Sequence, residues 1–493
     1  MTEHRVLKNK APGWRMKMKG KQIAVLVGFL MLMCVLAAGY AVYVSNQPGT
    51  TSQTEVVKMF AEYTDNKLFQ EVPVINVADG RIGDVEKTGG GNYAVKVNGS
   101  TVDEYWSYLE LLQENGFDKY VDNGEEGLNG NVYSASLTKD KLVLTVMHMV
   151  KTSLTYIVAE ENVALSERLL YKKEYADNFI SHAKTTLHMV EMEQSGNSFV
   201  LQLKNGHFII CDGGYVEDLP RLLDYLEALA PTGEKPVIEA WLISHLHVDH
   251  AALFQEFANN PSYTDRIYVE GIYMDKIDSE IATANSVTGI MLGVQTAATV
   301  LKTASGEATK IYRPQAGQTY YFADITVDVL QTLVQTPESD WYRFTTNLNE
   351  FSTWYMFHID GQKYLNAGDA DFGSMKAIMR TYDSEYFNMD VMAVQHHGIN
   401  VHNEFTDFIE VKTLLYPYFG EQGVFKEGIT GWAGAWQASV YRNEYLQEKV
   451  VETMSYGDGT KILTFPYQVG EAKSLGQQLE HNINTSDNHR IEY

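Results

Sequence analysis

The segment Trp241-Leu242-Ile243-Ser244-His245-Leu246-His247-Val248-Asp249-His250 packs three histidines and one aspartate into six residues directly behind an apolar run. Neutral imidazole and carboxylate are ligand types that Zn²⁺ takes, and Mn²⁺ or Fe²⁺ accept the same set. Residues two apart in extended chain share a face, so His245 and His247 can project to one side where a strand gives way to a turn. Asp249 and His250, opening the next element, then present a second pair of ligands beside the first. With 14 histidines and 63 acidic residues in 493, such a string arises from composition in about one or two chains per thousand. Solvated loop histidines therefore explain it poorly.

A ligand cluster of this kind needs a rigid frame behind it. From about Lys184 onward strands alternate with helices, which predicts a layered α/β architecture over 184–475, followed by a polar tail at 476–493. Residues 199–203 and 207–211 read as two strands around the Lys204-Asn205-Gly206 turn, the second stopping at Cys211-Asp212-Gly213-Gly214. Residues 69–165 read instead as a small separate α+β domain, a spacer or a recognition module. Residues 72–77 are strand-like, and 93–97 alternate after the Gly89-Gly90-Gly91 turn. Tyr105, Tyr108, Leu109 and Leu112 keep helical spacing up to Gly116, and 141–149 with 153–159 suggest a closing hairpin. His148 stands alone in an apolar run, where a core or sheet role is the simpler reading.

Composition bounds the rest. At 45% hydrophobic and 12% aromatic the chain can bury a large core, which excludes disorder over most of its length. Two cysteines, Cys34 and Cys211, exclude both a disulfide framework and a Cys-rich zinc fold. The net charge of −24 is unevenly spread. Residues 1–21 hold seven cations (Arg5, Lys8, Lys10, Arg15, Lys17, Lys19, Lys21) against Glu3, leaving 32 basic and 62 acidic residues, a net −30, in the remainder. Behind that basic segment, residues 23–44 run 22 positions without a charge. Such a run crosses a hydrocarbon core of roughly 30 Å. The sequence thus predicts a cytoplasmic segment (1–21), a transmembrane helix (22–44) and a polar linker (45–68), with everything beyond outside the cell membrane. The acidic excess disfavours stable nucleic-acid binding.

With these residues in view, the chain resembles the metallo-β-lactamase superfamily, whose signature is the His-x-His-x-Asp-His string. The resemblance implies a four-layer αββα sandwich, preceded here by the transmembrane helix and the small α+β domain. Its early strand-closing acid fits Asp212, and its metal-bridging carboxylate fits Asp369 in Asn366-Ala367-Gly368-Asp369-Ala370. Its last histidine fits Gln395-His396-His397-Gly398, with His396 the favoured ligand and His397 the alternate or an outer partner. Many members add a third histidine before the bridging carboxylate. None occurs here from 251 to 357, and His358 lies within an apolar strand. That absence, the Gly-Asp-Ala and His-His-Gly strings, and Asn347-Leu348-Asn349-Glu350-Phe351-Ser352 are similar to the ComEC-like branch, with Tyr456-Gly457-Asp458-Gly459-Thr460 matching it further on. On this resemblance Asp212, Asn349 and Ser352 are supporting residues.

The resemblance implies two zinc ions sharing Asp369, one held by His245 and His247 and the other by Asp249, His250 and His396, with a single ion as the alternative. A water between two such ions ionises near neutral pH and can attack a phosphodiester or other ester-type bond. Asp249, His250 and Asp369 would carry the chemistry, Asp249 also orienting the water. A membrane-anchored extracytoplasmic hydrolase acting on a small-molecule or cell-envelope ester is the expectation. The alternative is a non-catalytic surface binding protein with a vestigial or structural metal site. Tyr416, Tyr418, Trp432 and Trp436 could line a substrate wall, although core packing is the commoner use of such residues.

Overall fold

Side chains two apart along a strand face the same way, and that alternation sorts the apolar residues of this protein into three layers. The computed structural model describes residues 57–89, 91–177, 183–194, 196–277, 288–333, 348–399, 401–418 and 443–479. The basic segment and the apolar run 22–44 lie outside them, as do Cys34, Trp432 and Trp436. Among the described residues, no helix is long and apolar enough to cross a membrane. Residues from Lys58 onward form one compact unit.

The first sheet is antiparallel, in the order β1 (Ile82–Gly89), β2 (Asn92–Asn98), β6 (Leu154–Glu161), β5 (Leu142–Met149), β4 (Val132–Lys139), β3 (Asp118–Asp122). Helix α1 (Val102–Glu114) covers one face. It begins at Thr101, whose hydroxyl accepts from Glu104 N while the Glu104 carboxylate accepts from Thr101 N, which satisfies two otherwise orphaned donors. Residues 72–77, expected as a strand, form only one bridge, Met59 to Pro73. Pro73 has no N–H to donate to a ladder. His148 on β5 is buried, its Nδ1 3.0 Å from Thr155 Oγ1, in keeping with a sheet role.

The second sheet runs β13 (Lys310–Tyr312), β12 (Gly271–Tyr273), β10 (Val237–Leu242), β9 (Phe208–Asp212), β8 (Ser198–Gln202), β7 (Thr186–Met189), β21 (Lys461–Thr464), β22 (Lys473–Ser474), with β11 (Tyr268–Val269) also paired to β10. The third runs β14 (Thr319–Phe322), β15 (Ile325–Gln331), β16 (Trp354–Ile359), β17 (Gln362–Asn366), β18 (Asn388–Ala393), β19 (Glu410–Tyr416), β20 (Glu452–Ser455). Helices α2 (Leu219–Leu229), α3 (Val248–Asn259) and α4 (Thr288–Ala304) share a core with both sheets. Tyr355 and Phe357 of β16 face that core. Trp354 and Met356, one residue out of phase, face a different one, shared with Met375 and Ile378 of α5 (Phe372–Thr381).

That second core also takes in Ala94, Val132, Met147, Met149, Tyr156 and Val158 from the first sheet. The small unit expected to stand apart is thus continuous with the larger body: one face of its sheet packs on α1, the other on the third sheet. Trp354 anchors this seam. It is fully buried, its Nε1 donates to Ser374 Oγ at 2.8 Å, and its ring meets Phe405 edge-on at 5.6 Å. Trp354→Ala is expected to cost about 3–5 kcal/mol, the usual penalty for deleting a buried aromatic, and to lower the thermal midpoint of the whole body in one transition. Melting in two steps, with the first sheet separating alone, would contradict the shared core.

Candidate metal centre

Strands β9 and β10 are parallel neighbours, and so are β17 and β18, so four strands each deliver a loop at their carboxyl ends, where open α/β sheets gather ligands. β9 ends in Asp212. β10 leads through Ser244, His245 and His247 into α3, whose first turn carries Asp249 and His250. β17 leads through Gly368 to Asp369, and β18 to His396 and His397.

These loops bring two groups together around Asp369: Asp249, His250 and His397 on one side, His245 and His247 on the other. His250 Nε2 lies 2.9 Å from Asp369 Oδ1 and 3.8 Å from Asp249 Oδ2. His397 Nε2 lies 3.2 Å from Asp249 Oδ2 and 3.8 Å from Asp369 Oδ1. His245 Nε2 and His247 Nδ1 are 2.9 Å apart. His396 Nε2 stands 3.6 Å from Asp369 Oδ2. Both adjacent histidines therefore reach the centre, with the alternate His397 inside the four-residue group and the favoured His396 beside it.

Outer partners fix the rings. The buried Asp212 carboxylate accepts from Ser244 N (2.7 Å), Ser244 Oγ (2.9 Å), Asn197 Nδ2 (2.9 Å) and His250 Nδ1 (2.8 Å). His397 Nδ1 donates to the Pro417 carbonyl at 2.7 Å, and His245 Nδ1 sits 3.1 Å from Ser244 Oγ and 3.4 Å from Ser352 Oγ. With one nitrogen engaged, each of these three rings turns the other inward, the arrangement that metal-ligating histidines need. Ser352 Oγ also accepts from Asp369 N at 3.2 Å, and Asn349 Nδ2 touches the His396 ring at 3.4 Å. Gly368 has φ 52°, and a Cβ there would sit 2.7 Å from Ser244 Cβ, so the approach of the two loops requires glycine.

Burial, aided by neighbouring imidazoles, holds His245 well below the ordinary histidine range. Burial likewise brings His247 down to about 4, so both rings are neutral imidazoles, the form that ligates a metal, at neutral pH. For His250 burial works against the charge but Asp369, Asp249 and Asp212 overcome it and raise the ring. Burial also opposes charge on Asp369, yet His250, His396 and His397 keep it ionised. His250 Nε2 and both Asp369 oxygens are buried and make ion-pair contacts of 2.9–3.8 Å with one another and with His396 and His397, but none is a well-aligned hydrogen bond, a costly condition for polar atoms. A divalent cation would satisfy all three, and the donor set suits one. The residues present fit the metal.

Several supporting groups were not foreseen from the sequence: Asn197, Ser244, the Pro417 carbonyl, and Glu350, whose carboxylate accepts from Gly373 N (3.1 Å) and Ser374 N (2.6 Å) at the start of α5. Ser244, inside the motif segment, and Glu350, inside the 347–352 string, carried a sequence signal; Asn197 and the Pro417 carbonyl carried none. His358 lies away from the centre on β16, its Nε2 2.7 Å from Asp328 Oδ2. Tyr416 is core, buried with its hydroxyl on Asn443, while Tyr418 is half-buried.

The Metallo-beta-lactamase superfamily matches residues 193–376. No curated protein matches the chain. Among solved structures, the metallo-beta-lactamase fold protein YhfI from Bacillus subtilis is 12% identical, with 57% of this chain and 99% of that one covered and a TM-score of 0.33. Zn²⁺-bound PqqB from Methylobacterium extorquens is 10% identical over 55% and 98% of the chains, TM-score 0.33. CmlA, a diiron beta-hydroxylase from Streptomyces venezuelae, is 11% identical over 57% and 54%, TM-score 0.32. At such scores the family match stands on its own. Residues 193–376, which hold the His245–His250 motif and Asp369, are the part of the chain that matches the metallo-beta-lactamase superfamily.

Proposed function

We propose that this chain is a metal-dependent hydrolase of the ComEC-like branch, with two ions at Asp369 and a phosphodiester or other ester-type bond as its target. The observation that carries the reading is the buried Asp369 carboxylate, its oxygens faced by imidazole nitrogens and by no well-aligned hydrogen-bond donor, set between a His245–His247 pair and an Asp249–His250–His397 group. Zinc suits the donors best, with Mn²⁺ or Fe²⁺ accepting the same residues. Bound there, such ions supply charge to a developing oxyanion and make water nucleophilic near neutral pH, so no serine or cysteine nucleophile is called for. Asp212, Ser244, Ser352 and the Pro417 carbonyl hold the imidazoles in the required tautomers. Asp249, its side chain 21% exposed against 2% for Asp369, is the more accessible carboxylate and able to orient or accept a proton from the attacking water.

Attachment to the membrane through residues 22–44, with the hydrolase body outside the cell, belongs to this proposal. Its support is the charge-free run behind seven cations. The substrate is then a small-molecule or cell-envelope ester, and the acidic surface keeps stable nucleic-acid complexes weak.

The test uses the full chain, metal-loaded, on bis(4-nitrophenyl) phosphate and 4-nitrophenyl acetate. Turnover is expected on at least one, abolished by chelation and restored by Zn²⁺ or Mn²⁺. Asp249→Ala should lower kcat at least about 100-fold with an unchanged melting curve. A metal-replete protein inert on both esters would favour the binding-protein alternative.

A further inference from the structure

His396 and His397 both adopt left-handed backbone, with φ 48° and 53°. Non-glycine residues in that region cost about 1–3 kcal/mol each and persist where the surroundings demand them. In extended chain, adjacent side chains would face opposite ways. Here two successive left-handed residues turn both imidazoles toward one carboxylate, their ring centres 6.3 Å apart. They address different oxygens of it. His397 Nε2 approaches Asp369 Oδ1, the oxygen that His250 also meets, whereas His396 Nε2 approaches Oδ2 at 3.6 Å. Oδ1 thus belongs to the Asp249–His250–His397 side, and of these three rings His396 is the one that approaches Oδ2.

We infer that His396 is the third imidazole of the first ion, joining His245 and His247, so that the adjacent histidines serve one ion each. This rests on the two-ion reading above and goes beyond it. It accounts for the absence of any histidine from 251 to 357: the ligand missing there is supplied by the doubled histidine after β18. A separation of 3.6 Å between Nε2 and Oδ2 is what two ligands of one ion at about 2.0–2.2 Å subtend in tetrahedral geometry. The nitrogens of His396 stand outside the His245–His247–Asp369 cluster, whose ligand atoms lie within 4.8 Å of one another, so this role would require the ring to move closer to that pair.

The test measures zinc stoichiometry by mass spectrometry and affinity by competition with a chromophoric chelator, on the full chain. Asparagine tolerates left-handed backbone, so His396→Asn and His397→Asn leave the turn unstrained. The wild type should hold two ions. His396→Asn should keep one at wild-type affinity and weaken the other at least about 100-fold, beyond the 10–100-fold of an outer partner. His397→Asn should weaken the opposite ion. Imidazole added to His396→Gly, which also accepts left-handed backbone, should restore the lost ion, which a packing role would not produce. Two ions at unchanged affinity in His396→Asn would overturn the inference while leaving the two-ion reading intact. A wild type that binds a single ion would overturn both.

Discussion

Asp369→Asn should lower turnover by about 10³-fold, the several kcal/mol that charge stabilisation by two ions supplies. The substitution keeps the shape of the side chain but removes the charge that both ligand groups share. Asp369 is 1% exposed, and His250, His396 and His397 all draw on its carboxylate. An amide can offer one carbonyl oxygen to one ion, and its NH₂ faces the other group with the wrong polarity. Metal content should therefore fall from two ions to at most one, measurable by mass spectrometry after dialysis. The metal-free protein should also lose stability, by up to about 3–5 kcal/mol, because removing one partner of a buried ion pair leaves the other uncompensated. Full metal content and full turnover in this variant would refute a bridging role.

Asp212→Ala should be the more damaging change to the fold, although Asp212 touches no substrate. Its carboxylate collects four donors: Ser244 N, Ser244 Oγ, Asn197 Nδ2 and His250 Nδ1. Each buried donor left unsatisfied costs about 1–3 kcal/mol, so a loss of at least about 3 kcal/mol is expected in urea or thermal unfolding. Asp212 also has φ 61°, a conformation that aspartate and asparagine tolerate better than alanine. Asp212→Asn separates the two effects. It should recover only the part of the stability that the backbone strain costs, because its NH₂ faces donors that the carboxylate accepted from, and metal affinity should stay 10–100-fold down as the ring of His250 loses its charged anchor. Wild-type stability and metal affinity in Asp212→Asn would show that backbone and packing, not the carboxylate, set the site.

Much of the frame was legible in the sequence for a simple reason. Burial on one face forces alternation, and residues 199–203, 207–211, 141–149 and 153–159 each became a strand within a residue or so of expectation. Strands without such burial stayed hidden. β1, with the sequence IGDVEKTG, carries almost no apolar pattern and is a strand only because β2 offers it a ladder. Residues 72–77 failed in the opposite sense, being apolar but interrupted by Pro73. The continuity of the first sheet with the third was also invisible, because an apolar face does not name what covers it.

By itself the sequence determined the chemistry on offer: three imidazoles and a carboxylate within six residues, in numbers that chance does not supply. Resemblance extended this to Asp212, Asp369 and the doubled histidine. What only the tertiary structure decided was which atoms meet. Asn197 and the Pro417 carbonyl lie far from the motif in sequence, and a backbone carbonyl leaves no residue signature at all. His396 and His397 are adjacent and alike, and the preference for His396 did not reveal that both reach the Asp369 carboxylate. Two left-handed backbone residues, held there by the surrounding loops, aim them at different oxygens of one carboxylate.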